Sequence, residues 1–154
     1  MKVIDDFLTE DECDFLIDYY KKYRDKETYD ATLFLLMKDT SLFDLRKSWI
    51  RYRYLKRIKK EFCLKLNYDQ IVFWPPTSFK AMHKDGTEKN NDWTSVCYLN
   101  DDYEGGETLI EDGIFKPKRG RLVVFPSKKM NHGVSLVKSR ARYTYIAWWQ
   151  QKLK

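Results

Sequence analysis

The chain has two histidines, His83 and His132, and the first belongs to the triplet His83-Lys84-Asp85. In a β-strand, residues i and i+2 point to the same face, so the His83 imidazole and the Asp85 carboxylate can converge on one ion. Two imidazoles and one carboxylate are the facial triad that holds Fe(II) and leaves coordination positions open for reactants. The sequence therefore predicts a catalytic iron site formed by His83, Asp85 and His132.

An arginine that follows the triad could bind a carboxylate ligand beside the metal. Arg142 comes ten residues after His132 and precedes the apolar segment Tyr143–Trp149, so it is expected on a strand. A guanidinium in such a position can hold a small carboxylate through two parallel hydrogen bonds. The alternative role is a surface salt bridge, which the apolar character of the segment disfavours.

These residues lie in the second half of the chain, which has the pattern of a β-protein. Short runs of β-forming residues alternate there with clusters of Gly, Pro, Asn and Asp, as in an antiparallel barrel or jelly roll. Asp112-Gly113 is typical of a hairpin turn. The predicted strands are Gln70–Trp74, Phe79–His83, Thr94–Leu99, Glu107–Ile110, Ile114–Lys116, Leu122–Phe125, Val134–Val137 and Tyr143–Trp149.

The first half of the chain is predicted to be mainly helical. Thr9 and Glu12 can form a capping box at the start of a first helix. Residues Asp25–Thr40 are expected to form a loop with one short strand, and a second helix is expected from Ser41 to Leu66. The apolar stripe of this helix is predicted to be Leu42, Leu45, Trp49, Tyr52 and Leu55.

A sequence of 154 residues, of which 43% are hydrophobic, suits one folded domain and excludes intrinsic disorder. No apolar run approaches the roughly 20 residues that a membrane-spanning helix requires. The three cysteines are scattered without a CxxC pair, which favours reduced thiols in a cytoplasmic protein. We expect a monomer. The basic segment Arg46–Lys65 could meet nucleic acid, but it is more typical of a solvated helix face.

Five segments of the chain carry a resemblance to a known family. They are MHKD (Met82–Asp85), YLNDDYEGGETLI (Tyr98–Ile110), GRLVVFPS (Gly120–Ser127), NHGV (Asn131–Val134) and RYTYIAWW (Arg142–Trp149). In order and spacing they resemble the catalytic core of the prolyl 4-hydroxylase branch of the Fe(II)/2-oxoglutarate oxygenases. The resemblance implies a mainly β fold with N-terminal helices, namely a double-stranded β-helix (a cupin-like jelly roll). It implies a single domain over residues 1–154, with a helical support (1–66) and a β-helix core (70–151).

The resemblance also assigns roles to individual residues. His83, Asp85 and His132 would bind iron, Arg142 would pair with the distal carboxylate of 2-oxoglutarate, and Tyr98 would donate its hydroxyl to that carboxylate. Two tryptophans would line the pocket. Trp148 would form part of its wall, whereas Trp74 occupies a place where the family often has a tyrosine that faces the cosubstrate. The indole N–H can still donate one hydrogen bond, and core packing is the alternative role for Trp74.

The implied reaction is hydroxylation of a prolyl residue in a peptide or protein, with 2-oxoglutarate and O2 converted to succinate and CO2. Ascorbate is an expected reductant. An alternative is a nucleic-acid demethylase of the AlkB type, but that family has a second arginine six residues after the first, where this chain has Trp148. Nucleic acid is therefore disfavoured as a partner. A hydroxylase of a free amino acid or another small molecule stays open, and a binding module with a degenerate site is disfavoured because all three ligands are present.

Overall fold

The computed structural model of the chain describes residues 1–24, 28–29, 32–37, 44–86, 90–111 and 113–152. These residues form the helices α1 (Glu10–Tyr23) and α2 (Leu45–Phe62). The strands are β1 (Lys2–Ile4), β2 (Thr28–Tyr29), β3 (Thr32–Leu36), β4 (Leu64–Trp74), β5 (Lys80–His83), β6 (Trp93–Tyr98), β7 (Glu104–Gly105), β8 (Thr108–Ile110), β9 (Gly113–Phe115), β10 (Leu122–Phe125), β11 (His132–Val134), β12 (Val137–Lys138) and β13 (Arg142–Gln151). Among them is no helix both long and apolar enough to cross a membrane.

The strands form two antiparallel sheets with a hydrophobic core between them. The larger sheet has the order β1-β10-β6-β13-β4-β3-β2, and the smaller has the order β5-β11-β8-β9. A further pair joins β12 to β7. Val72 and Val123 of the larger sheet pack in one cluster with Ile110 and Val134 of the smaller sheet, so the two sheets face each other. This architecture confirms the predicted jelly roll with N-terminal helices.

The two faces of the larger sheet pack in two different hydrophobic cores. Strand β13 shows this, because its side chains alternate between the two faces. Tyr145, Ala147 and Trp149 point to the face that packs against α1 and α2. Ile146 and Trp148 point to the smaller sheet. Since burial of a large apolar side chain contributes roughly 1.5–3 kcal/mol, both faces stabilise the strand. The face toward the smaller sheet is therefore the one that can line an internal site.

The start of the first helix is as predicted. The Thr9 hydroxyl accepts a hydrogen bond from the Glu12 amide, and the Glu12 carboxylate accepts one from the Thr9 amide, both at 3.1 Å. The Asp25–Thr40 prediction is only partly right, because the described residues of this segment form two paired strands, β2 and β3, where one short strand was expected. Residues 25–27, 30–31 and 38–40 lie outside the described part of the chain, as does Asp112 of the predicted hairpin turn.

The predicted stripe of the second helix is largely wrong. Leu45, Trp49 and Tyr52 are 75%, 59% and 53% exposed, and only Leu55 of the described stripe residues is buried. The side chains that face the core are Lys47, Ile50, Tyr54, Leu55 and Ile58. The helix has apolar side chains on two sides, and the packing partners decide which side is buried. The helix also ends earlier than predicted, at Phe62, because Cys63 adopts a left-handed conformation with φ 53°.

Candidate active site

The two histidines face each other across neighbouring strands. His83 at the end of β5 is the register partner of His132 at the start of β11, and their ring centres are 4.3 Å apart. Asp85 follows β5 directly, and its Oδ1 lies 3.8 Å from His83 Nε2 and 3.3 Å from His132 Nε2. One ligand atom from each residue lies within 4.8 Å of the others. The predicted triad is thus brought together at one point.

Backbone carbonyl groups orient both imidazoles. The Nδ1 atom of His83 lies 2.8 Å from the Ala81 carbonyl oxygen, and that of His132 lies 3.1 Å from the Met130 carbonyl oxygen. A proton on each Nδ1 satisfies these contacts and leaves the lone pair of each Nε2 available to a metal ion beside Asp85. Burial lowers the pKa of His83, which favours the neutral form that binds metals.

Two hydroxyl groups, those of Thr94 and Ser127, lie at the Asp85 carboxylate, and neither was predicted from the sequence. Thr94 Oγ1 donates to Asp85 Oδ2 at 2.7 Å and lies 2.8 Å from Ser127 Oγ. The Asp85 amide donates to the Ser127 carbonyl oxygen at 3.0 Å. Burial alone would raise the pKa of Asp85, but hydrogen bonds from Ser127 and Thr94 oppose this and hold it below its ordinary value. The carboxylate is therefore ionised at neutral pH.

Arg142 is a buried cation on the larger sheet, with 1% of its surface exposed. Its Nη2 atom donates to Thr108 Oγ1 at 3.3 Å. Nε and Nη1 are buried and donate to no group within the described ranges of the chain. Because a buried unpaired guanidinium is costly, these atoms indicate that an anionic ligand completes the site.

Tyr98 lies beside this arginine, but its hydroxyl already has protein partners. The centre of its ring is 5.3 Å from the guanidinium carbon of Arg142. The hydroxyl donates to the Phe115 carbonyl oxygen at 2.8 Å and accepts from the Thr108 amide at 2.9 Å. Donation to a cosubstrate would require the bond to Phe115 to be exchanged, so that role of Tyr98 stays a prediction.

The two tryptophans take different positions around the cavity. Trp74 is 4% exposed, and its indole N–H donates to Thr144 Oγ1 at 3.3 Å. Trp148 is half-buried and stacks on Tyr68 of β4, with ring centres 4.6 Å apart and planes tilted by 17°. Both tryptophans line the cavity, as does Tyr68, which sequence reasoning missed. The position of Tyr68 in the cavity wall was not predictable from the sequence, because it depends on the register between β4 and β13.

One open cavity of about 660 Å³ is lined by the triad, by Arg142 and by the side chains of Tyr68, Trp74, Thr94, Thr108 and Trp148. Its wall includes His83, Asp85 and His132 at the smaller sheet and Arg142 at the larger one. The cavity thus combines a metal-binding set of donors with a buried anion-binding group, which are the two requirements of a metal-dependent enzyme with a dicarboxylate cosubstrate.

A jelly roll with two imidazoles and a carboxylate in its cavity defines the class of non-haem iron proteins with a facial triad. The sequence model of the 2OG-Fe(II) oxygenase superfamily matches residues 55–150, which include every residue of the cavity discussed above. The chain belongs to this superfamily. Its cofactors are Fe(II), 2-oxoglutarate and O2, and the donor set and the unpaired buried guanidinium fit the first two.

Solved structures with the same fold cover nearly the whole chain. A viral collagen prolyl hydroxylase from Paramecium bursaria Chlorella virus-1 superposes with a TM-score of 0.73 at 22% identity, over 99% of this chain and 96% of that one. A Pseudomonas putida prolyl-4-hydroxylase gives 0.70 at 20% identity, over 99% and 92% of the two chains. A Trichoplax adhaerens prolyl hydroxylase, in complex with a hypoxia inducible factor peptide, gives 0.73 at 14% identity, over 97% and 83%.

One curated protein matches in sequence over a shorter region. Human prolyl 3-hydroxylase 2 is 35% identical over 65 residues, which are 37% of this chain and 9% of the human protein. The matched region is therefore a small part of that relative.

Proposed function

We propose that the chain is a 2-oxoglutarate-dependent dioxygenase that hydroxylates a prolyl residue in a peptide or protein. One observation carries this proposal, namely that an ionised Asp85 and two imidazoles with inward-facing Nε2 atoms share a cavity with the unpaired guanidinium of Arg142. These groups match the charges of a divalent cation and of a dicarboxylate.

The proposed roles follow from the positions of the side chains. His83, Asp85 and His132 would hold Fe(II), which supplies O2-dependent oxidation of the substrate coupled to conversion of 2-oxoglutarate to succinate and CO2. Arg142 binds the distal carboxylate of the cosubstrate, with Thr108 Oγ1 fixing its Nη2. The stacked rings of Tyr68 and Trp148 supply an aromatic part of the cavity wall.

The substrate class rests on the cavity wall and on the similar proteins. A proline-containing segment is rigid and packs well on aromatic surfaces such as the Tyr68–Trp148 stack. The similar proteins are prolyl hydroxylases by name, whereas a demethylase of the AlkB type and a small-molecule hydroxylase are not favoured. We further propose a monomer in the cytoplasm, which is consistent with the three free cysteines.

The test is an assay of succinate release with Fe(II), 2-oxoglutarate and ascorbate. Proline-containing peptides are compared with methylated oligonucleotides, and mass spectrometry follows the product. We expect the peptide to gain one oxygen atom, and the His132→Ala variant to release no succinate above background. Turnover that is stimulated only by the oligonucleotide, with loss of a methyl group, would show that the prolyl hydroxylase proposal is wrong.

A further inference from the structure

Strand β5 lies at one edge of the smaller sheet and leads directly to the candidate metal site. It pairs with β11 on one side, and in the described part of the chain no strand pairs with its other side. A strand edge of this kind presents backbone N–H and C=O groups that can pair with an extended peptide. The strand ends at His83, so a peptide on this edge would run toward the cavity.

A second hollow of about 480 Å³ follows the same strand and is lined by residues 77–83. Phe79 and Met82 are 59% and 49% exposed there, although both are large and apolar. An exposed apolar pair beside a cavity is typical of a binding surface, because binding sites are concave and are lined mainly by apolar side chains. We call this hollow the β5 groove.

The β5 groove is continuous with the candidate active site. Lys80 and His83 line both the groove and the larger cavity. Lys84 lines the larger cavity at the junction, so two lysines flank the passage between the two hollows. A ligand that extends from the cavity into the groove therefore meets positive charge at the junction and apolar surface beyond it.

We propose that the β5 groove binds the segment of the peptide substrate that flanks the reacting prolyl residue. This assignment rests on the proposed function, because the same peptide occupies both hollows. The flanking segment pairs in extended form with the outer edge of β5, places an apolar side chain against Phe79 and Met82, and carries an acidic residue near Lys84. The chain thus prefers prolyl residues with an acidic and an apolar neighbour.

The experiment compares a proline-centred tripeptide with a longer peptide that carries these flanking residues. KM is obtained from succinate release, and the affinity of the longer peptide is measured by calorimetry. For the wild type we expect KM of the longer peptide to be about tenfold lower. The Phe79→Ala/Met82→Ala variant should lose most of this advantage and weaken calorimetric binding by a similar factor, with an unchanged KM for 2-oxoglutarate.

Ile114→Ala is the matched control, because Ile114 is a 68% exposed apolar residue on β9, at the opposite edge of the same sheet. It should bind and hydroxylate both peptides as the wild type does. In the longer peptide, replacement of the acidic residue by lysine should raise KM by at least several-fold in the wild type.

The outcomes separate the two proposals. If both peptides are hydroxylated with the same KM, or if the double variant retains the advantage, the groove assignment is wrong and prolyl hydroxylation stands. If no prolyl peptide gains oxygen, the proposed function is wrong and the groove assignment fails with it.

Discussion

Arg142 and Trp74 are register partners in the β13–β4 pair, and the guanidinium carbon lies 4.8 Å from the centre of the indole ring. The face of an aromatic ring stabilises a nearby cation, and the effect is larger where water is excluded. Trp74 therefore supports a buried charge that has no carboxylate partner within the ranges described by the structure. The two roles considered for Trp74, core packing and a place at the cosubstrate site, are compatible in this arrangement.

Arg142→Ala should raise KM for 2-oxoglutarate by roughly 10- to 100-fold, because a charge-assisted pair contributes about 1.5–3 kcal/mol. KM is measured from succinate release over a titration of the cosubstrate. Arg140→Ala is the control, since the Arg140 side chain is 73% exposed and pairs with Asp102 at the surface. An unchanged KM in Arg142→Ala would assign cosubstrate binding to another cation.

Thr94→Val should weaken Fe(II) binding by roughly 10- to 100-fold, as is typical when a group that orients a metal ligand is removed. The reason is the 2.7 Å hydrogen bond from Thr94 Oγ1 to Asp85, which the valine cannot make. Affinity is measured by competition with a chromogenic chelator, without turnover. Thr94→Ser keeps the hydroxyl and should bind metal as the wild type does. Equal losses in both variants would indicate a packing effect.

Gly106→Ala should destabilise the fold by about 1–3 kcal/mol and also raise KM for 2-oxoglutarate. Gly106 has φ +63°, and an added Cβ would lie 2.8 Å from the Tyr103 ring and 3.0 Å from Arg142 Cδ. The absence of a side chain at Gly106 therefore leaves room for the side chain of Arg142. Thermal unfolding and cosubstrate kinetics measure the two effects. Gly86→Ala is the steric control, because a Cβ there would meet no atom of the described residues within 4 Å, and a similar loss of stability in it would refute this account.

The native protein should react with one equivalent of a thiol reagent, at Cys63. Cys63 is exposed, whereas Cys13 and Cys97 are buried. Burial raises the pKa of Cys13 to about 12 and raises that of Cys97 as well, so neither forms the reactive thiolate at neutral pH. Counting the modified thiols by mass spectrometry, before and after denaturation, gives the result. Labelling of Cys13 in the folded protein would contradict the buried position of α1.

Sequence patterns were sufficient for the features that depend on neighbours along the chain. The capping box at Thr9 and the strand that includes Tyr143–Trp149 depend on local sequence, and both are present as expected. The buried side of α2 was not predictable, because Ile50 and Trp49 are comparably apolar and only the contact with the larger sheet selects Ile50.

Parts of the candidate site depend on contacts between distant segments, which no local pattern reveals. The contact of Thr94 with Asp85, and the stack of Tyr68 on Trp148, arise from strand register and from the approach of loops to the sheets. The triad and Arg142 were identifiable because the chain has only two histidines and because the segments around these residues resemble a known family. Threonine, serine and tyrosine are common residues, so residue type alone did not identify Thr94, Ser127 or Tyr68 as part of the site.

The two histidines of the candidate metal site belong to the smaller sheet and Arg142 belongs to the larger one. The distance from the triad to the guanidinium is thus set by the separation of the two sheets, which depends on the side chains packed between them. Under the proposed roles, this separation would select dicarboxylates by the number of carbons between their two ends. Val72 and Ile146, which pack in the layer between the sheets, are positions where a change of volume would alter that length without replacing any group that contacts the cosubstrate's charges.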